Sequence, residues 1–294
     1  MQYTLRNILA ACKANMYIRF GYVNRAQKLI KQNKYILSIY FHDPSEEVFR
    51  NSVSWLIKEN YTFLSLDDLL LIKNNKKEVP VNGVVITVDD GWRDNYKNIV
   101  PIANAYKVPV AIFITTQPVL KGDRFWWSYI KMAIKNKFNT ISVANLKRMS
   151  NKERLRLVDD VRHKVTTQRE AMTIQELQEI SNSKFITIGS HTVTHPILPN
   201  CTNDELRFEI IESKKIIEQI ISKPINSFSF PNGDYGSREI EYVKQAGYEI
   251  SFGIEPKYLT KSSLEGIFNL PRFEVLDNAS LAESICRMTG VWFK

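Results

Sequence analysis

The chain has 294 residues, 44% of them hydrophobic and 24% charged, with a formal net charge of +9. That balance argues against a disordered chain; no apolar run of about 18 residues exists, and the N-terminal candidate Asn7-Ile-Leu-Ala-Ala-Cys-Lys13 is cut short by lysine, so neither a membrane-spanning helix nor a secretory leader is expected. Three scattered cysteines, Cys12, Cys201 and Cys286, with no CxxC pair, indicate neither a disulfide framework nor a cysteine zinc site, so the expected address is cytoplasmic.

Residues 1–34 carry the excess charge. Arg6, Lys13, Arg19, Arg25, Lys28, Lys31 and Lys34 all precede the first acid, Asp43, and alternate with Leu5, Ile8, Leu9, Tyr17, Ile18, Phe20 and Tyr22. Such a basic amphipathic segment can dock on the anionic inner membrane surface or lie as a solvated helical flank on the domain behind it. No recognised binding motif accompanies the charge, so a nucleic-acid partner is not expected.

From residue 35 to 294 the pattern is that of one α/β domain. Buried strands are expected at Tyr35–Phe41, Gly83–Val88, Val108–Thr115, Phe185–Gly189, Ile225–Phe230 and Glu249–Phe252. Helical spacing occupies Glu46–Asn60, Asn95–Tyr106, Thr202–Ser222 and Arg238–Ala246, and Thr202-Asn-Asp-Glu205 has the form of a capping box. Strand then helix, repeated, implies a parallel sheet with helices outside it. A polar, lysine-rich stretch of about 125–177 lacks strand signals and reads as a helical insertion.

Thr87-Val-Asp-Asp-Gly91 follows one predicted strand and precedes Trp92. Two adjacent carboxylates at the end of a buried strand are costly without a cation. Successive side chains of a strand point to opposite faces, so both serve one site only if the chain turns there, which Gly91 permits. A plain surface turn is the alternative. His191-Thr-Val-Thr-His195-Pro196 follows another predicted strand, and its four-residue spacing would place both imidazoles on one face of a helical turn. With Asp90 the set is one carboxylate and two imidazoles, which suits zinc first and also Co, Ni or Fe.

These motifs resemble those of the polysaccharide deacetylases of carbohydrate esterase family 4, the NodB-homology group, over roughly Tyr35 to Val275. The resemblance implies a distorted (β/α) barrel of seven or so parallel strands, with the site at the strands' C-terminal ends. It implies Asp89 as general base, Asp90, His191 and His195 as metal ligands, and an N-acetylated sugar in a polysaccharide or glycan precursor as substrate. Phe228-Ser-Phe-Pro-Asn-Gly-Asp-Tyr235 looks like the family's groove-wall motif, whose backbone amide helps hold an oxyanion. The family's base-orienting arginine is missing from that place. Arg272, in Leu270-Pro-Arg-Phe273, is the candidate replacement, against the alternative of pairing with a surface carboxylate.

The family's late catalytic histidine is also missing, since no histidine follows His195. His42, ending Leu37-Ser-Ile-Tyr-Phe-His42, takes the same form, as in circularly permuted members, and is the candidate general acid; the alternative is a strand-end histidine satisfied by a backbone carbonyl. His163 reads as a solvated surface residue. Trp92, Trp127 of Phe125-Trp-Trp-Ser-Tyr129, Pro231, Asn232 and Tyr235 are the expected sugar contacts, although packing accounts for at least one of the insertion's tryptophans. A cyclic-amide or small-amide hydrolase on the same scaffold, and a silent glycan-binding protein, are the competing functions.

Overall fold

The computed structural model describes residues 4–138 and 140–293; the first three residues of the N-terminal segment, Asn139 of the insertion and Lys294 lie outside them. Eight strands run in parallel: β1 Ile36–Phe41, β2 Thr62–Phe63, β3 Gly83–Val88, β4 Val110–Ile114, β5 Ile186–Ser190, β6 Ser227–Ser229, β7 Ile250–Phe252 and β8 Phe273–Glu274. Every residue of β1, β3 and β4 is buried. That is why these segments are continuous apolar runs rather than alternations, as in a sheet covered on both faces. The strands pair in the order β7-β6-β5-β4-β3-β1-β8, with β2 branching from β3.

The sheet curls into a distorted barrel. Leu270 bridges Phe252 of β7, while Phe273 and Glu274 pair with Ile39 and Tyr40 of β1, so one short segment joins the two ends of the sheet. Neither β2 nor β8 was expected from the sequence, because a two-residue strand carries no periodicity to detect.

The helices follow the predicted segments with local breaks. Asn95–Tyr106 divides into Arg93–Asn98 and Val100–Tyr106, with Pro101 in the first turn of the second piece. The stretch from Thr202 to Ser222 begins with the expected capping box, in which Thr202 and Glu205 satisfy each other's backbone N–H, and then contains a π-turn at Phe208–Glu212. Residues 126–165 supply three helices, Trp126–Lys135, Val143–Leu146 and Asn151–Arg162, around a small core of their own that includes Tyr129, Ile130, Leu146 and Val158.

At the N-terminus, helices Leu5–Arg19 and Tyr22–Asn33 send Ala14, Val23, Ala26 and Ile30 into the main core. Arg6 pairs with buried Glu283 of the helix Leu281–Met288. The opposite face leaves Leu5, Leu9 and Phe20 at 73%, 60% and 61% exposure. All three cysteines are free thiols. Among the described residues no helix is long and apolar enough to cross a membrane.

Candidate metal centre

Parallel strands deliver their C-terminal ends to one rim, and the polar groups gather there. Asp89 continues the ladder beyond β3, its N–H donating to the carbonyl of Phe41. Asp90 then adopts φ +75° and Gly91 φ +81°. Left-handed backbone is tolerable for aspartate and easy for glycine. The positive φ is what favours glycine at 91; a Cβ there would also meet Ile114 Cδ1 at 2.9 Å, a side-chain tip that would have to give way. The turn brings both carboxylates to one cavity, of about 510 Å³, which His42, Trp92, Trp127, His191, His195 and Asn232 also line.

Asp90 Oδ1 lies 3.5 Å from His191 Nε2 and 3.4 Å from His195 Nε2. The three ligand atoms fall within 4.8 Å of one another. Asp90 Oδ2 accepts the indole N–H of Trp92 at 2.9 Å, whereas Oδ1 is buried with no hydrogen-bond partner. An unpaired carboxylate oxygen facing two imidazole nitrogens is an unfavourable arrangement for the protein alone and a suitable one for a divalent cation. His191 Nδ1 contacts the carbonyl of Ser229 at 2.7 Å; donating there, it leaves the Nε2 lone pair free for a metal. Burial, with help from His191, Arg154 and Lys147, pushes the His195 pKa well below its ordinary value, which keeps the ring neutral as a ligand must be.

The two histidines do not share a helical turn. Residues 191–197 form an irregular loop in which Thr192 has φ +72° and His195 φ +55°. Buried Glu209 takes the place of helical hydrogen bonds. Its carboxylate accepts the N–H groups of Val193 and Thr194 and the Thr194 hydroxyl at 2.9, 2.8 and 2.6 Å. The π-turn carries Glu209, in keeping with the frequent placement of such turns at functional sites.

Arg272 does not meet a surface carboxylate. It is fully buried and forms a two-pronged pair with Asp89, NH1 to Oδ1 at 2.9 Å and NH2 to Oδ2 at 2.8 Å. Its other N–H groups reach the Gly253 carbonyl, Thr87 Oγ1 and Ser229 Oγ. Burial works against a charged Asp89, but Arg272, with His191 and His42, overrides it and holds the carboxyl at about 2.

His42 stands at the end of β1 with its ring in the cavity. Burial disfavours its charged form, yet Asp90, Asp89, Asp277 and Glu274 together raise its pKa. Asp277 also accepts the backbone N–H groups of His42 and Asp43, fixing the strand end.

Of the expected sugar contacts, Trp92, Trp127 and Asn232 line the cavity, whereas Pro231 and Tyr235 do not; the Tyr235 ring packs on Phe230. Trp92 spends its N–H on Asp90. Trp127 meets the His195 ring edge to face at 4.6 Å, while buried Trp126 donates to the His195 carbonyl, so Trp126 is the structural one of the pair. His163 is exposed. Ser229, Glu209, Lys131 and Lys147 were not anticipated. Ser229 alone left a trace, as the small polar residue within Phe228-Ser-Phe230.

The model of the family described as polysaccharide deacetylase matches residues 76–251, a span that begins after His42 and ends before Arg272. The Staphylococcus aureus (strain N315) poly-beta-1,6-N-acetyl-D-glucosamine N-deacetylase is 22% identical over 267 residues, 91% of this chain and 76% of that protein. The Bacillus subtilis protein YxkH, which carries the polysaccharide deacetylase name, is 22% identical over 79% of this chain; the chain spans only 65% of its length. Among solved structures, the Streptococcus pyogenes deacetylase PplD in complex with acetate superposes with a TM-score of 0.62 at 17% identity, covering 86% of this chain and 97% of that one. IcaB from Ammonifex degensii gives 0.62 at 14%, covering 87% and 97%. At these identities the structural likeness speaks for the fold.

Proposed function

Because the chain belongs to the polysaccharide deacetylase family, we propose that it is a metal-dependent N-deacetylase that releases acetate from an N-acetylated sugar of a glycan or glycan precursor. The observation that carries this reading is the buried, partnerless Asp90 Oδ1 facing two imidazole nitrogens, beside an Arg272-held carboxylate in the same cavity. Asp90, His191 and His195 would hold the metal, zinc by preference. When bound, it would polarise the acetamide carbonyl and acidify a water.

Asp89 is ionised at any ordinary pH, and its low pKa means that it accepts a proton only from a strongly polarised donor such as that water. Arg272 keeps the carboxylate in one orientation throughout. His42, biased towards its charged form, would protonate the departing nitrogen, and the cavity's aromatic wall at Trp127 would seat the sugar ring.

Leu5 and Leu9 of the first helix and Phe20 just beyond it are exposed, and the same segment carries Arg19, Arg25 and Lys28, which supports docking on an anionic membrane surface. Deleting the whole segment would strip Ala14, Val23, Ala26 and Ile30 from the core, so substitution is the cleaner test. Leu9→Glu with Phe20→Glu is expected to abolish sedimentation with phosphatidylglycerol vesicles; no association by the unaltered protein would overturn the docking.

The enzymatic reading is tested by elemental analysis. About one equivalent of metal in the unaltered protein, its loss in His195→Ala, and acetate release from N-acetylglucosamine oligomers are expected. Asp89→Asn should retain the metal and lose turnover. A protein that takes up no metal even from added zinc is not this enzyme, and would instead fit a glycan-binding role.

A further inference from the structure

Behind Trp127, on the side away from the metal centre, a second cleft of about 340 Å³ opens between the insertion and the end of β4. Lys121, Arg124, Arg154, Arg156 and Arg162 line it, against a single acid, Asp159. Two of these cations are spoken for, Arg124 by Glu170 at 2.6 Å and Arg162 by Asp123 at 2.6 Å. Arg154 is different. It is 1% exposed, and no carboxylate among the described residues comes within 4.0 Å of it. NH2 donates to Asn151 Oδ1 and Thr194 Oγ1, the guanidinium stacks 5.0 Å over Trp126, and Nε and NH1 are buried without any acceptor.

A buried guanidinium with three of its five N–H groups unmet is costly, and Glu209, reached only through the Thr194 hydroxyl, leaves those three without an acceptor that an anion could supply. Neutral acceptors elsewhere in the cleft do not do so. Lys121 and Arg156, exposed at the mouth and likewise without a carboxylate partner among the described residues, add positive charge where an anion would enter. The cleft is also connected to the chemistry: Trp127 walls both cavities, and Thr194, which takes the Arg154 bond, precedes the ligand His195.

We infer that this cleft is a subsite for a phosphate-class anion of the substrate, placed across Trp127 from the metal centre. The link to substrate rests on the deacetylase reading; the anion site itself does not. Guanidinium groups suit such oxyanions because their N–H donors match two oxygens at once. A sugar linked through a diphosphate, whether to a nucleotide or to a polyprenyl lipid, has this chemistry, and a neutral oligosaccharide lacks it.

The direct test uses metal-free protein, so that no ion at Asp90 can take up the probe, and titrates inorganic pyrophosphate while following intrinsic tryptophan fluorescence, to which Trp126 and Trp127 in the cleft wall contribute. Saturable binding is expected, weakened at least tenfold by the exposed pair Lys121→Ala and Arg156→Ala. Arg154→Lys should weaken it as well while leaving zinc uptake intact, a result that a purely structural arginine would not give. No saturable binding, or unchanged affinity in the double variant, overturns the subsite.

A second arm compares kcat/KM for a neutral N-acetylglucosamine oligomer, a nucleoside-diphosphate N-acetylsugar and a polyprenyl-diphosphate N-acetylsugar. Preference for either diphosphate, lost in the double variant, names the carrier, and equal values for all three overturn the link to substrate. Pyrophosphate binding without acetate release from any of the three would leave the anion site standing and defeat the deacetylase reading alone.

Discussion

The barrel rim and the helical insertion both bury charged groups that lack a full set of partners, Asp90 Oδ1 among those in the first and Arg154 among those in the second, and the two are built differently. At the rim, three groups at or just past strand ends are each held by another, Asp89 by Arg272, His191 by Ser229 and Asp90 by Trp92, while His195 sits in the loop beyond them. In the insertion, Arg156 and Lys131 are exposed, and the helices rest on a small core of their own. Strand ends locked by a shared hydrogen-bond ladder suit chemistry, which tolerates little displacement. A separately packed group of helices suits recognition, which can vary without disturbing it.

Four measurements would break or sharpen that contrast. The largest effect belongs to the rim: Arg272→Met strands the Asp89 charge in the interior and should cost about 3–5 kcal/mol in urea unfolding. A loss below about 1 kcal/mol would mean the rim is no more rigid than the insertion. Next is Glu209→Gln, which keeps the shape but removes the charge that gathers the N–H groups of Val193 and Thr194; zinc affinity, read by chelator competition, should fall roughly 10–100-fold.

On the insertion side, Trp127→Ala should lower kcat/KM on an N-acetylated oligomer by about 2- to 10-fold with zinc content unchanged. Loss of zinc there would show that the insertion helps build the metal centre and would erase the distinction. The smallest effect concerns pH. Burial, with the charges of Asp94, Asp277 and Asp90, raises the Asp43 carboxyl to about 7. A carboxyl raised in the folded state penalises folding once ionised, so stability falls as pH climbs from about 4 to 7. Asp43→Asn in the metal-free protein should therefore raise the melting temperature above pH 7 and leave it unchanged near pH 4. A rise at both values would place the cause in packing instead.

Sequence legibility divides along similar lines. The strands that carry Asp89, Asp90 and His191 are long apolar runs with a chemical signature at their ends, so both the elements and the residues could be read from the chain. His42 and Arg272 could be named as candidates by their form alone, but only the closure of the barrel brings Arg272 to Asp89. The loop of His191 to His195 shows where spacing misleads: four residues match a helical turn, and the real convergence depends on two positive φ values and on Glu209. Glu209 lies 15 residues from Thr194 inside an amphipathic stretch, where nothing distinguishes it from a solvated acid. Arg154 was equally hidden in a charged helix, because its lack of a partner is a property of packing.

The segment 270–274 joins β7 to β1 and carries Arg272 between its two pairings. Asp89 and Arg272 are 183 positions apart, so the ion pair cannot form until all the strands between them have been made. Until then the sheet is open and its seventh strand has a bare edge. The event that removes this aggregation-prone edge is the same one that seats the Asp89 carboxylate. A chain lacking residue 272 would thus be both unclosed and left with an unpaired Asp89.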